Sequence, residues 1–253
     1  MEDDFEREEV SKLKGSGLLY CGQPFRTALI TTTKHFSFTH LTVQEFLAAR
    51  WFVKENCRIT ANTVCNSLNN EHCLVCELNL VYIYLTDECV DVINRLVVRK
   101  LTTLSLVTAG ITVTSVASLC EALQDPSCKL TTLNLRGGSI TDTSVASLCE
   151  ALQHPSCKLT SLNLGISSMT DIGVVCLCEA LQHPSCKLNT LTLTQNRITD
   201  TGIAILFEAL QHPSCKLTTL NLGNSFTTDT SVASLCRALK HSSFKLTTLN
   251  LPS

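Results

Sequence analysis

The sequence predicts an α/β solenoid, with parallel strands along a concave side and helices along a convex side, stacked unit upon unit. Three observations predict it. The motif L-x-x-L-x-L begins at Leu101, Leu130, Leu159, Leu188, Leu217 and Leu246, every step being 29 residues. A looser copy, VCELNL, begins at Val75, 26 residues before Leu101. Between successive motifs, apolar residues recur at helical spacing. No unit can bury its leucines alone, so neighbours must stack.

Residues 130–158 show why each element forms. In LTTLNL, Leu133 and Leu135 share one strand face and Asn134 takes the other. Thr141-Asp142 then supplies helix N-cap chemistry. Val145, Leu148, Cys149 and Leu152 fall at i, i+3, i+4 and i+7, one face of a helix. His154-Pro155-Ser156 ends it, because proline cannot continue a helix. A 29-residue unit with a full helix resembles the ribonuclease-inhibitor-like class of leucine-rich repeats. The resemblance implies about seven strand units over residues 75–253.

Composition bounds the function. At 44% hydrophobic the chain can bury a core. Twenty Lys and Arg against 22 Asp and Glu leave a net charge of −2, with no overall basic footprint for nucleic acid. No apolar run approaches the ~18 residues of a membrane span. The start, MEDDFEREEV, lacks the basic and apolar regions of a secretory signal. The expectation is a soluble, cytoplasmic chain whose 15 cysteines are free thiols.

The repeats serve as their own control: positions held in every unit are structural, and positions that differ can carry recognition. Cysteines recur at two phases, Cys120, Cys149, Cys178 and Cys236 on the helix and Cys128, Cys157, Cys186 and Cys215 before the next strand. Their eight-residue gap is not the tight pair a metal site needs. Phe207 and Phe244 replace a cysteine in two units, so the slots read as apolar and no metal site is expected. His154, His183, His212 and His241, with Asp125 in the same place, read as turn residues. The outward strand positions form a near-uniform Thr/Ser/Asn sheet without Trp, Tyr or Arg anchors. Variation concentrates after the strand. There Arg136, Gln195, Arg197 and Phe226 are the candidate partner-binding residues, the alternative being ordinary loop residues facing water. Only Asn196 occupies the post-strand asparagine place common in leucine-rich repeats. The chain stops right after a strand with no polar capping unit, which suggests a fragment or a covered edge.

Residues 1–74 do not fit the repeat. The stretch Phe36-Ser37-Phe38-Thr39-His40-Leu41-Thr42-Val43-Gln44-Glu45-Phe46-Leu47-Ala48-Ala49 closely resembles the F-x-F-x-H-L-[ST]-x-Q-E-F-L-A-A signature of NACHT-leucine-rich-repeat proteins, the NOD-like receptors. Val10 to Leu19 is similar to part of the same winged helix. The resemblance implies a winged-helix and second-helical-domain remnant at 1–56, a helical linker at 57–74 and the repeats at 75–253. It also implies that His40 matches the winged-helix histidine that contacts the β-phosphate of ADP, a role available only beside a NACHT domain. No G-x-x-x-x-G-K-[ST] occurs, so the chain holds no cofactor of its own, and ADP or ATP enters only with an upstream NACHT domain.

The expected function is therefore a protein-interaction module: the sensor or autoinhibitory end of a NOD-like receptor in innate immune signalling. It would bind protein partners, among them a NACHT domain in cis or in trans. The alternatives are a free-standing leucine-rich-repeat binder or inhibitor, or a truncated receptor relic. No Ser-His-Asp, paired-carboxylate or metal-ligand arrangement outlasts the repeat control, so no catalytic residue and no enzymatic activity are expected.

Overall fold

The computed structural model describes residues 76–81, 85, 87–138, 140–223 and 229–251. The two segments expected at 1–56 and 57–74 lie outside them, as do His40 and Phe226. Among the described residues seven strands alternate with six helices. They run β1 (Glu77–Val81), α1 (Asp87–Arg99), β2 (Thr103–Val107), α2 (Val113–Gln124), β3 (Thr132–Asn134), α3 (Asp142–Gln153) and β4 (Ser161–Asn163). Then follow α4 (Asp171–Gln182), β5 (Thr190–Thr192), α5 (Asp200–Ala209), β6 (Thr219–Asn221), α6 (Asp229–Ala238) and β7 (Thr248–Asn250).

The strands form one sheet in chain order. Every neighbour is parallel, and the register stacks Leu104, Leu133, Leu162, Leu191, Leu220 and Leu249 in a single file. That file follows from the period, since a fixed repeat returns the same side chain to the same place on the next strand. The leucines point at the helix layer, where Val145, Leu148 and Leu152 of α3 are fully buried and their counterparts in the units of α2, α4 and α5 are buried as well. Each helix packs on the next, so the core is one continuous ribbon between sheet and helices.

The turn after each strand has a fixed shape. Thr108, Gly137, Ile166 and Gln195 occupy one place in successive units, and all have positive φ, between 52° and 71°. Gly137 suits this left-handed conformation, whereas β-branched Thr108 and Ile166 are strained there by about 1–2 kcal/mol each. The variable turn sequence thus conceals a constant backbone.

Thr112, Thr141, Thr170 and Thr199 sit at helix N-caps in extended backbone. Three of them accept a bond at their own helix start: Thr112 from Ser115 N–H, Thr170 from Ile172 N–H and Thr199 from Thr201 N–H. Thr141 makes no such bond. In the last described unit Val232, Leu239 and Leu251 are exposed, whereas their counterparts Ile203, Leu210 and Leu222 are buried beneath a following unit.

Candidate interaction surface

Three ladders of polar groups tie unit to unit and decide which side chains remain available to a partner. The first is made by the aspartate of each Thr-Asp pair. Asp142 Oδ1 accepts from Thr170 N–H (2.8 Å) and Gly173 N–H (3.0 Å), and its Oδ2 accepts from the Thr170 hydroxyl (2.7 Å). Asp171 accepts from Thr199 N–H at 2.8 Å, and Asp200 accepts from the Ser231 hydroxyl. The capping chemistry expected within one helix thus acts partly across the stack: the threonine caps its own helix, and the aspartate caps the next one. Each carboxylate sits at a helix N-terminus, where orphan N–H groups and the helix dipole favour it.

The second ladder is lysine. Lys187 Nζ donates to the carbonyls of Pro155 (3.0 Å) and Cys157 (2.8 Å) in the preceding turn. Lys216 does the same with Pro184 and Cys186, and Lys245 with Pro213 and Cys215. Lys158 makes only one such bond, to Pro126 at 3.2 Å. Sequence reasoning missed these residues, although the signal was present: a charged residue repeated in every unit is structural by the same control that was applied to the cysteines.

The third ladder is threonine. Thr131 and Thr160 hydroxyls each donate to the carbonyl one unit back, at 3.1 Å, and Thr102, Thr218 and Thr247 follow suit. Asn134, Asn163 and Asn221 accept from the backbone N–H two residues on. The threonines are therefore committed to holding the coils together, and the asparagines to shaping their own turns. The lone post-strand asparagine behaves likewise: Asn196 donates to the Leu164 and Leu193 carbonyls and accepts from Met169 N–H.

The histidines are turn builders. His154, His183, His212 and His241 each accept at Nδ1 from the N–H of a serine two residues on, at 3.2–3.3 Å. Asp125 performs the same task with Ser127 at 2.7 Å. The cysteine slots are apolar, with Cys120, Cys149, Cys178, Cys128, Cys157, Cys186 and Cys215 all buried. Burial pushes the Cys120 and Cys178 thiols up to about 12 and the Cys149 thiol higher still. Such thiols carry almost no thiolate, the form that ligates metal or attacks an electrophile. Among the described residues no group of three or more His, Cys, Asp or Glu could hold a metal ion.

Arg136, Gln195 and Arg197 are all exposed on the post-strand turns. Their backbones are fixed: Arg136 N–H donates to Asn134 Oδ1, Gln195 N–H to the Gly223 carbonyl, and Arg197 N–H to the Met169 carbonyl. Gln195 and Arg197 share one turn, and Arg136 lies two strands away, about 10 Å along the sheet at the usual strand spacing. The side chains stand as guanidinium and amide donors on a rigid frame. Among the described residues no helix is long and apolar enough to cross a membrane.

A family model described as Leucine Rich repeat matches residues 127–149 and 185–205. The fold is a leucine-rich-repeat solenoid. A similar solved structure is leiomodin-1 actin-binding site 2, at 16% identity and TM-score 0.49, over 58% of this chain and 86% of that one. Another is a tropomodulin C-terminal domain from Caenorhabditis elegans, at 15% identity and TM-score 0.41, over 72% and 92%. No curated protein sequence matches the chain.

Proposed function

We propose that this leucine-rich-repeat chain is the sensor and autoinhibitory end of a NOD-like receptor, a protein-binding module of cytoplasmic innate immune signalling that does no chemistry itself. The observation that carries the reading is the fourteen-residue signature from Phe36 to Ala49 in one chain with 29-residue repeats. The solenoid supports it by presenting an extended surface on which exposed turn residues vary while the frame does not. For an adenine nucleotide the resemblance points to His40, which lies outside the described residues, so no step is assigned through a nucleotide.

Immunocapture of the endogenous polypeptide through the repeats, followed by intact mass measurement, tests the reading. A NACHT domain in the same polypeptide or in a co-captured one upholds it. A polypeptide of 27.7 kDa without any NACHT-bearing companion overturns it in favour of a free-standing binder. If the post-strand turns form the contact, Arg136→Ala with Arg197→Ala should weaken that companion's binding at least tenfold, about 1.4 kcal/mol.

A further inference from the structure

The outer faces of the helices repeat as faithfully as the inner ones. On α2 the outward positions read Thr114, Ala117, Ser118 and Glu121, and on α3 Thr143, Ala146, Ser147 and Glu150. On α6 they read Thr230, Ala233, Ser234 and Arg237. These are i, i+3, i+4 and i+7, one side of each helix. α4 breaks the pattern with Ile172, Val175 and Cys176 ahead of Glu179, and α5 places Ile205 where the others have serine.

Ile172 is 68% exposed and Val175 40%, with Cys176 and Ile205 partly buried beside them. The fold does not require these residues, because α3 makes the same core contacts with Thr143, Ala146 and Ser147 outside. Four departures that converge on two adjacent helices form an apolar strip in an otherwise small and polar layer.

Charge defines what the strip fits. α3, α4 and α5 carry Asp142, Glu150, Asp171, Glu179, Asp200 and Glu208 and no lysine or arginine. Their aspartates are engaged at helix termini, whereas Glu150, Glu179 and Glu208 are exposed in a row along one end of the strip. From Ile172 to Glu179 the strip extends about 10 Å, two turns of helix.

We propose that this strip is a docking site for a basic amphipathic helix of a protein partner. Apolar anchors at i, i+3, i+4 and i+7 would cover Ile172, Val175, Cys176 and Ile205, and lysine or arginine beside them would meet the glutamate row. A second copy of this chain offers no lysine or arginine on these three helices to meet the acidic row. The proposal lies on the helix layer, away from the post-strand turns, and stands whether or not the chain belongs to a receptor.

The test uses the full chain and two labelled 18-residue amphipathic peptides of identical leucine spacing, one with lysine and one with glutamate at the polar positions, followed by fluorescence anisotropy. The variant Ile172→Thr/Val175→Ala/Cys176→Ser/Ile205→Ser installs residues that α2 and α3 already carry at these positions, so it keeps the fold. The lysine peptide should bind the parent chain and lose at least tenfold in affinity on the variant. It should also weaken on Glu179→Gln/Glu208→Gln and in high salt, and the glutamate peptide should not bind. Equal binding of the lysine peptide to parent and variant, equal binding of both peptides, or no binding to the parent would each overturn the proposal. Self-association of the parent that the variant abolishes would do so too, by assigning the strip to a second copy.

Discussion

Val113 stands where the following units have Asp142, Asp171 and Asp200, and its absence as a carboxylate is visible one unit on. Thr141, at the start of α3, makes no side-chain capping bond, and the buried Ser144 hydroxyl has no hydrogen-bond partner. The corresponding hydroxyl of Ser231 is bonded to Asp200. Val113→Asp should therefore restore a missing clasp. A helix cap is worth about 1 kcal/mol. A carboxylate at the helix dipole adds about 0.3–1 kcal/mol. Satisfying the serine adds about another 1 kcal/mol. Against this, Val113 is already 41% exposed, so the lost apolar burial is roughly 1 kcal/mol. The net gain is about 1–2 kcal/mol, or a rise in Tm of roughly 3–6 °C for a domain of this size. Thermal unfolding followed by far-ultraviolet circular dichroism reads it. Ser144→Ala should be neutral or stabilising in the parent, where it removes an unsatisfied group, and destabilising beside Asp at 113. That change of sign is a coupling of about 1 kcal/mol in a double-mutant cycle. A fall in Tm for Val113→Asp, or strict additivity with Ser144→Ala, would refute the reasoning.

Gly202→Ala should destabilise, although alanine in a helix ordinarily gains about 1 kcal/mol over glycine. The new Cβ would overlap Asp171 Oδ1 and lie 2.9 Å from Ile198 Cγ2, so the clasp must open or the core must shift, at about 1–3 kcal/mol; a raised Tm would contradict this. The buried thiols predict a reactivity order. Site-resolved alkylation at neutral pH should mark the exposed Cys76 and Cys236 well before Cys120, Cys149 and Cys178. They also predict a pH dependence. In the unfolded chain these thiols ionise around 9.0, whereas folded Cys120 and Cys178 hold their protons to about 12. Stability should therefore be complete below pH 9 and decline as the pH climbs toward 12, as denaturation midpoints across that range would show.

The leucine phase made the strands, their parallel order and the core helix face legible, because burial in a stack follows the period and little else. The second partner of each clasp was not legible. Asp142 is adjacent to Thr141 in sequence, yet its acceptor work is done at Thr170 and Gly173, about one repeat length on. Local patterns report local capping and say nothing about the neighbouring coil. The variable post-strand turn misled in another way: Gln195 differs from Thr108, Gly137 and Ile166 while sharing their backbone shape, so variation there records tolerance as well as exposure. Ile172, Val175 and Cys176 could have been found by the repeat control, but on periodicity alone an apolar residue in an amphipathic helix reads as core.

The shortage at α2 and α3 has a mechanical consequence. Here the aspartate clasp is missing, and the lysine clasp is a single 3.2 Å bond where the following junctions have two. In a stack whose units touch only their neighbours, strength is set joint by joint. A tensile load along the axis would part this joint before those that follow it. Heat would open the same seam before those that follow it.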